Sequence, residues 1–268
     1  MAKSNFEINE KPSSDLSEEI EKAYDTHEMI FDYHTHTVFS HGKGTIEDNV
    51  KAAIDAGLKA VAISDHGPGH LSYGVKRENF RVMRDEIDAL QEKYPQIKIY
   101  LSVEANVISK PPYIDLKEEE RKYFDFIIAG YHYGVLHGKC ISNYLENHIG
   151  APGFIKKYLK EYNTEMTLKA LENNDITILT HPGDKAQFDI AEIAKSCAKT
   201  GTLMEISTWH PHLTVDEIQI SMKENVFYVV SSDAHTPNRV GSWKGGVKRA
   251  VEAGLDLDRI VNIRKVRF

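Results

Sequence analysis

Seven short apolar runs alternate with seven segments of helical periodicity, and this alternation is what most constrains the fold. The apolar runs are Met29–Tyr33, Ala60–Ser64, Ile97–Val103, Phe126–Ala129, Ile176–Leu179, Leu203–Ile206 and Val226–Val230. The helical segments are Thr45–Ala56, Glu78–Tyr94, Lys117–Tyr123, Phe154–Asn173, Ile190–Thr200, Val215–Asn225 and Gly245–Ala253. Repeated strand-helix pairs predict a parallel α/β sheet, and a length of 268 residues favours a closed or nearly closed TIM-like barrel.

Two segments depart from the repeat. Residues 1–28 are polar, with a Pro-Ser-Ser break and a short predicted helix from Ser17 to about Tyr24, and we expect a surface extension. Residues 29–268 would then form a single barrel domain. Gly134–Tyr162 lies between the fourth and fifth strands and is rich in Gly, Asn, His and aromatic residues. We predict that it is an active-site loop or lid.

The composition excludes several classes of protein. The net charge of −7, from 33 basic and 40 acidic side chains, offers no electrostatic footprint for nucleic acid, so we consider nucleic acid an improbable partner. No apolar run is long enough for a membrane span, and the N-terminus lacks the apolar region of a secretory signal. Cys140 and Cys197 do not make a disulfide framework. We therefore expect a cytoplasmic protein.

Six of the seven predicted strands end in a residue that can bind a metal ion. The first strand leads into His34-Thr-His36, and His41 follows shortly before Gly44. The other strand ends supply Asp65-His66, Glu104, His132, His181 and Asp233-Ala-His235. The C-terminal ends of parallel barrel strands gather on one face, where barrel active sites lie. Because imidazole and carboxylate are common metal ligands, the pattern predicts a metal site on this face.

The motifs HTH, DHG, the strand-end Glu, YH, HPG and SDAH, in this order, resemble the PHP (polymerase and histidinol phosphatase) superfamily. The resemblance covers roughly Ile30 to Val261 and is greatest to the short stand-alone bacterial phosphatases. It implies a distorted (β/α)7 barrel with two or three divalent ions, which are usually zinc, manganese or iron.

The resemblance also implies roles for individual residues. One ion would be held by His34, His36, Glu104 and Asp233. Glu104 would bridge to a second ion with His132 and His181, and a third would take His41, His66 and His235. The nucleophile would be a hydroxide bridging two metals, with Asp65 either orienting a ligand or assisting proton transfer, and His235 at the reacting centre. Glu205 ends the sixth strand, and its role, in the site or in the barrel, is left open.

Other polar residues near the strand ends are candidates for contacts with substrate. Basic groups that could clamp a phosphate are Arg77, Lys185 and Arg239. His70, Tyr73, His137 and His148 are weaker candidates for substrate contact. The remaining histidines, His27, His210 and His212, are assigned to ordinary surface or structural positions.

These observations lead to one functional hypothesis with three alternatives. We expect a metal-dependent phosphoesterase that hydrolyses a small phosphomonoester, such as histidinol phosphate. A phosphotyrosine-protein phosphatase or a nuclease of the same superfamily is the first alternative. The second is a regulatory PHP module without catalysis. The third is an amidohydrolase-type enzyme, which usually relies on a lysine bridging two metals, and none of these strand ends supplies one.

Overall fold

The computed structural model describes residues 14–266, which contain eight α-helices and ten β-strands. The helices are α1 (Ser14–Thr26), α2 (Ile46–Asp55), α3 (Asn79–Lys93), α4 (Cys140–Ile149), α5 (Gly153–Asn173), α6 (Ile190–Thr200), α7 (Val215–Ser221) and α8 (Lys244–Glu252). The strands are β1 (His27–Met29), β2 (Phe31–Asp32), β3 (Ala60–Ile63), β4 (Lys98–Leu101), β5 (Glu104–Asn106), β6 (Ile128–Gly130), β7 (Ile178–Leu179), β8 (Leu203–Ser207), β9 (Tyr228–Ser231) and β10 (Ile263–Lys265). Within these residues, no helix is both long and apolar enough to cross a bilayer.

The strands form two parallel sheets in chain order, β2-β3-β4 and β5-β6-β7-β8-β9. The predicted strand Ile97–Val103 corresponds to β4, and β5 is an additional short strand that begins at Glu104, after Ser102 and Val103. Single parallel bridges connect the sheets, between His66 and Glu104 and between Thr35 and Ala234. The predicted α/β fold with parallel strands is confirmed.

Register places two acidic side chains on the inner face of the larger sheet. Paired residues of neighbouring strands point to the same face. Glu104 pairs with Ile128, and Glu205 pairs with Val229. Ile128, Ile178 and Val229 pack together in a small core of their own. The alternate residues belong to the larger core shared with the helices: Ala105, Ala129, Leu179, Ile206 and Val230. Both glutamates are therefore directed away from the helices.

The segment Gly134–Tyr162 is mostly helical, in contrast to the predicted loop. It contains α4 and the first half of α5. The buried side chains of α4 are the polar Asn143 and Glu146, whereas Ile141 and Ile149 are exposed. Asn143 is satisfied by reciprocal amide bonds of 2.9 and 2.8 Å with Asn163. The usual relation between polarity and burial is inverted here, so hydrophobic periodicity could not reveal the helix.

Residues 14–28, predicted as part of a surface extension, pack against the rest of the fold. The Tyr24 ring meets the Trp243 ring edge-on at 5.9 Å, and its hydroxyl donates to the Lys244 carbonyl at 3.0 Å. Strand β1 pairs antiparallel with β10. Residues 1–13 of the predicted extension lie outside the described residues.

The predicted helix Lys117–Tyr123 is a 3-10 helix, Glu118–Tyr123.

The packing of α1 on α8 gives a stability test. Replacing Tyr24 by Ala removes the ring contact with Trp243 and the hydrogen bond to Lys244, so we expect the free energy of unfolding to fall by about 1–3 kcal/mol. Tyr158→Ala, at a half-exposed position on α5, is the matched control and should change it by less than about 0.5 kcal/mol. Equal unfolding free energies in urea for both variants would contradict the packing described for α1.

Candidate functional site

Strand-end side chains from both sheets meet at one place. Within the described part of the chain, four sets of three side chains each have ligand atoms within 4.8 Å of one another. The sets are His34-His36-Asp233, His36-His66-His235, His66-Glu104-His132 and His181-His210-Asp233. They include eight of the nine predicted ligands, and they add His210. We call these nine side chains the strand-end cluster.

Glu104 lies at the centre of the strand-end cluster and is fully buried. Its Oε1 is 2.9 Å from His181 Nε2 and 3.2 Å from His132 Nε2. Its Oε2 is 2.9 Å from His66 Nδ1 and 3.4 Å from His34 Nε2. The carboxylate therefore faces two separate groups of imidazoles, one with each oxygen, as a bridging ligand would.

Asp233 is the second buried carboxylate of the cluster. Its Oδ1 lies 3.2 Å from His36 Nε2, and its Oδ2 lies 3.1 Å from His210 Nε2. Asp233 and His181, each two residues after the end of its strand, have positive φ values of 48° and 27°. Non-glycine residues adopt this conformation at a cost of about 1–3 kcal/mol, and such strain concentrates at functional sites.

The cluster and the neighbouring His41 contain buried polar atoms without hydrogen-bond partners. They are His36 Nδ1, His41 Nδ1, His66 Nδ1, Glu104 Oε2, His132 Nε2 and Asp233 Oδ1. Several lie close to an oppositely polarised atom, but not in hydrogen-bond geometry. Leaving such an atom unsatisfied costs about 1–3 kcal/mol. Nε2 atoms of His34 and His36, 3.0 Å apart, also point at each other. Divalent cations fit this donor set, because imidazole and carboxylate lone pairs are what they bind.

Hydrogen bonds fix which ring nitrogen of two histidines, His34 and His235, faces the cluster. Glu205 Oε1 accepts from His34 Nδ1 at 2.8 Å, and Glu205 Oε2 accepts from the His181 amide at 2.8 Å. The Asp233 carbonyl accepts from His235 Nδ1 at 2.9 Å. Each Nδ1 must donate to its oxygen partner, so Nε2 of His34 and of His235 is the nitrogen that faces the cluster. Glu205 thus supports two members of the cluster, a role the sequence left open.

A second chain of contacts holds His132. Its Nδ1 lies 2.9 Å from Asn106 Oδ1, and the Asn106 amide nitrogen donates to Asp115 at 2.6 Å. Asp115 also accepts from the Gly69 amide at 2.6 Å. Burial raises the pKa of Asp115, although these hydrogen bonds oppose the shift. Sequence reasoning missed this pair, because neither residue ends a strand in front of a histidine.

Asp65 and Asp32 anchor the backbone around the site. Asp65 accepts from the Thr37 amide at 2.7 Å, from the Thr37 hydroxyl at 2.6 Å and from the Ser40 hydroxyl. These contacts favour the orienting role for Asp65, since both oxygens hold the turn that leads to His41. Asp32 was not singled out from the sequence, although it is an acidic residue within an apolar strand. It accepts from the Ser232 and Gly241 amides at 3.1 and 2.8 Å.

His41 lies beside the cluster rather than in any of its four sets. Its ring centre is 4.2 Å from that of His235, 4.8 Å from that of His66 and 4.3 Å from that of Tyr73. Burial, followed by the neighbouring His66 and His235, lowers the pKa of His41 to about 3. A neutral imidazole of this kind is the form that binds a cation.

Two carboxylates and one imidazole of the cluster are in the protonation state that metal binding needs. Burial alone would raise the pKa of each carboxylate, but the surrounding imidazoles overcome it, and the pKa values of Glu104 and Asp233 fall well below their usual range. Burial lowers the pKa of His235. Both carboxylates are therefore ionised at neutral pH, and His235 is neutral.

The cluster opens into a cavity of about 390 Å³. Its walls include His70, Tyr73, Tyr133, Lys185 and Trp209. The candidates His70 and Tyr73 are therefore placed at the cavity. Lys185 is there too, with Nζ 2.5 Å from Asp184 Oδ2.

The other candidates for substrate contact lie elsewhere. Arg239 stacks on Trp209, with its guanidinium carbon 4.4 Å from the ring centre. Arg77, a predicted phosphate clamp, is not at the cavity, because it binds Glu120 and the Asp115 carbonyl. His137 and His148 line separate pockets.

His210 corrects the assignment of three histidines to ordinary positions. His27 and His212 do lie outside the cluster, in contact with the Ala23 carbonyl and with Glu217. His210 instead lies in it, with Nδ1 3.1 Å from Asp184 Oδ2. Burial disfavours its charged form, but the two flanking carboxylates raise the pKa of His210 to about 9. The sequence did not indicate this role, because His210 lies three residues after the end of β8, in an irregular turn, and not at the strand end.

Comparison with known proteins identifies the family of this chain. A family model for the PHP domain matches residues 32–208, about two thirds of the chain. The chain belongs to the PHP domain family. Membership of this family makes the chain a metal-dependent phosphoesterase, and the predicted family and enzyme class are confirmed.

Relatives and solved structures resemble the PHP chain over most of its length. A probable phosphatase of Thermoanaerobacter sp. (strain X514) is 26% identical over 253 residues, covering 87% of this chain and 90% of the relative. One of Caldanaerobacter subterraneus subsp. tengcongensis is 29% identical over 249 residues, with 87% of both chains covered. The fold is similar to that of histidinol phosphate phosphatase from Lactococcus lactis subsp. lactis, solved with zinc, L-histidinol and phosphate. That similarity has a TM-score of 0.60 and 20% identity, and it covers 85% of this chain and 95% of the other.

The support of His132 in this PHP domain can be tested by stability. Asn106→Leu keeps the side-chain shape but leaves buried His132 Nδ1 without its partner and removes one of the two hydrogen bonds to Asp115 Oδ2. We expect the free energy of unfolding to fall by about 2–4 kcal/mol. Asn173→Leu, at an exposed site on α5, is the control and should change it by less than about 0.5 kcal/mol. Urea unfolding in metal-free buffer measures both, and a neutral Asn106→Leu variant would contradict the hydrogen-bond chain.

Proposed function

We propose that this PHP domain hydrolyses a small phosphomonoester with two or three divalent cations, zinc, manganese or iron, held by the strand-end cluster. The observation that carries the proposal is the group of buried nitrogen and oxygen atoms without hydrogen-bond partners, directed at common points below one cavity. A fold would not gain stability from such atoms unless a cation satisfied them.

The proposed ligand sets follow the distances around the two carboxylates. His34 and His36, with Glu104 and Asp233, would hold one cation. His132 and His181 share Glu104 Oε1 and would hold a second. His66 and His235 would hold a third, with His41, whose ring lies beside both. Glu104 would bridge the first and second positions.

The chemistry proposed here divides between the cations and the chain. When bound, divalent cations neutralise the phosphate and lower the pKa of water from 15.7 to about 7. Lys185 on the cavity wall would bind a phosphate oxygen, and Tyr73 and Trp209 would flank the leaving group. His235 faces the reacting centre, and Asp65 holds the His41 turn. Arg239 would act only through its stacking on Trp209, and Arg77 has no part in this proposal.

The size and charge of the site support a small substrate. A cavity of about 390 Å³ admits a metabolite-sized phosphomonoester. The net charge of −7 does not favour the binding of a nucleic acid. The similar fold solved with L-histidinol and phosphate supports a histidinol-phosphatase-like substrate. We also propose that the two bridged sheets close into a distorted seven-stranded barrel, which the Thr35–Ala234 and His66–Glu104 bridges support.

Activity of cluster variants tests the proposal. His34→Ala and Asp233→Ala should each abolish hydrolysis of L-histidinol phosphate and p-nitrophenyl phosphate in zinc- or manganese-supplemented buffer. The reason is that each removes a ligand of the first cation while the carboxylate Glu104 stays in place. His27→Ala, in β1 and outside the cluster, is the control and should keep full activity.

Circular dichroism should show that all three proteins are folded. Undiminished turnover in folded His34→Ala or Asp233→Ala would contradict the proposed site, as would equal activity of the wild type towards an amide substrate.

A further inference from the structure

We infer that His210 is an additional protein ligand of the cation cluster, sharing a position with His181 and Asp233, and that Asp184 positions its ring. This inference rests on the proposed function, because it presupposes that the strand-end cluster binds cations. His210 is not one of the nine ligands predicted from the strand-end motifs.

The first argument is the distance between donor atoms. His210 Nε2 lies 3.1 Å from Asp233 Oδ2, and the His181 and His210 ring centres are 4.8 Å apart. The ligand atoms of these three residues all lie within 4.8 Å of one another. Neighbouring ligands of one cation, each bonded at about 2.0–2.2 Å, are about 3–3.5 Å apart. The present separations need only small side-chain movements to meet that geometry.

The second argument is that Asp233 can serve two positions. Its Oδ1 faces His36 and its Oδ2 faces His210, so the carboxylate has one oxygen for each side. His181 is similarly placed between the two carboxylates, since its Nε2 contacts Glu104. His210 thus extends the cluster on the side opposite His36, rather than duplicating an existing ligand.

The third argument is that the ring of His210 is held in place from behind. Asp184 Oδ2 lies 3.1 Å from Nδ1, and the other ring nitrogen, Nε2, faces Asp233. The backbone is fixed as well, because the His210 amide donates to Ser207 Oγ at 3.2 Å and its carbonyl accepts from Arg249 at 2.7 Å. A surface histidine needs none of these contacts, whereas a metal ligand is normally oriented by them.

The test is cation binding, measured without reference to turnover. Purified wild type, His210→Ala, Asp184→Asn and the control His212→Ala are loaded with zinc and dialysed against graded concentrations of a chelator. Bound zinc per chain is then measured by elemental analysis. The Co²⁺ absorption spectrum of each protein reports changes in the ligand set.

We expect His210→Ala to lose one class of bound zinc, or to bind it at least 10-fold more weakly, with an altered Co²⁺ spectrum. Asp184→Asn keeps the imidazole and should weaken the same class by roughly 10–100-fold. His212→Ala, on the same turn but bound to Glu217, should match the wild type. Thermal unfolding of the metal-free proteins identifies any variant that fails to fold, and Asp184→Asn then serves in place of His210→Ala.

Two results would overturn the inference, and they are distinguishable. Wild-type stoichiometry, affinity and Co²⁺ spectrum in folded His210→Ala would show that His210 is no ligand, even if KM for the phosphate ester rises. In that case the proposed function would stand. Absence of zinc binding by the wild type itself would instead overturn both.

Discussion

A buried carboxylate surrounded by imidazoles is the interaction on which the rest of this structure depends. Glu104 is fully excluded from water, and an isolated charge in that position would cost several kcal/mol. Four imidazoles lie within 3.4 Å of its oxygens, and each reaches it from the end of a different strand. The strands can therefore bring their ends together only if positive charge, from protons or cations, is present between them. This requirement links the fold to the chemistry of the site.

The side chains of the cluster are held in their orientations by residues that do not face the cavity. Glu205 holds His34 and the His181 backbone, and the Asp115–Asn106 pair holds His132. Asp65 fixes the turn to His41. These groups are polar residues on or beside the parallel strands, and each hydrogen-bonds to residues next to the cluster or within it. Their arrangement directs Nε2 of His34 and of His132 towards Glu104.

Much of this could be predicted from the sequence, because both strand ends and metal ligands have local signatures. The apolar runs predicted the parallel strands, and the residues just after them predicted eight of the nine members of the cluster. Three features had no such signature. Helix α4 buries Asn143 and Glu146 and exposes Ile141, so its periodicity is inverted. His210 follows β8 by an irregular turn whose path depends on Ser207 and Arg249. Arg77 follows an apparent strand-end motif, but it binds Glu120, which is distant in sequence, and so lies away from the cavity.

The central claim is that cations occupy the space around Glu104 and Asp233, and anomalous X-ray diffraction tests it most directly. Crystals grown with manganese or zinc should show anomalous peaks between Glu104 and the imidazoles of His34, His36, His132 and His181, at about 2.0–2.3 Å from the ligand atoms. At least two peaks should share Glu104. Crystals that contain the metal in excess but show no peak within the strand-end cluster would contradict the account.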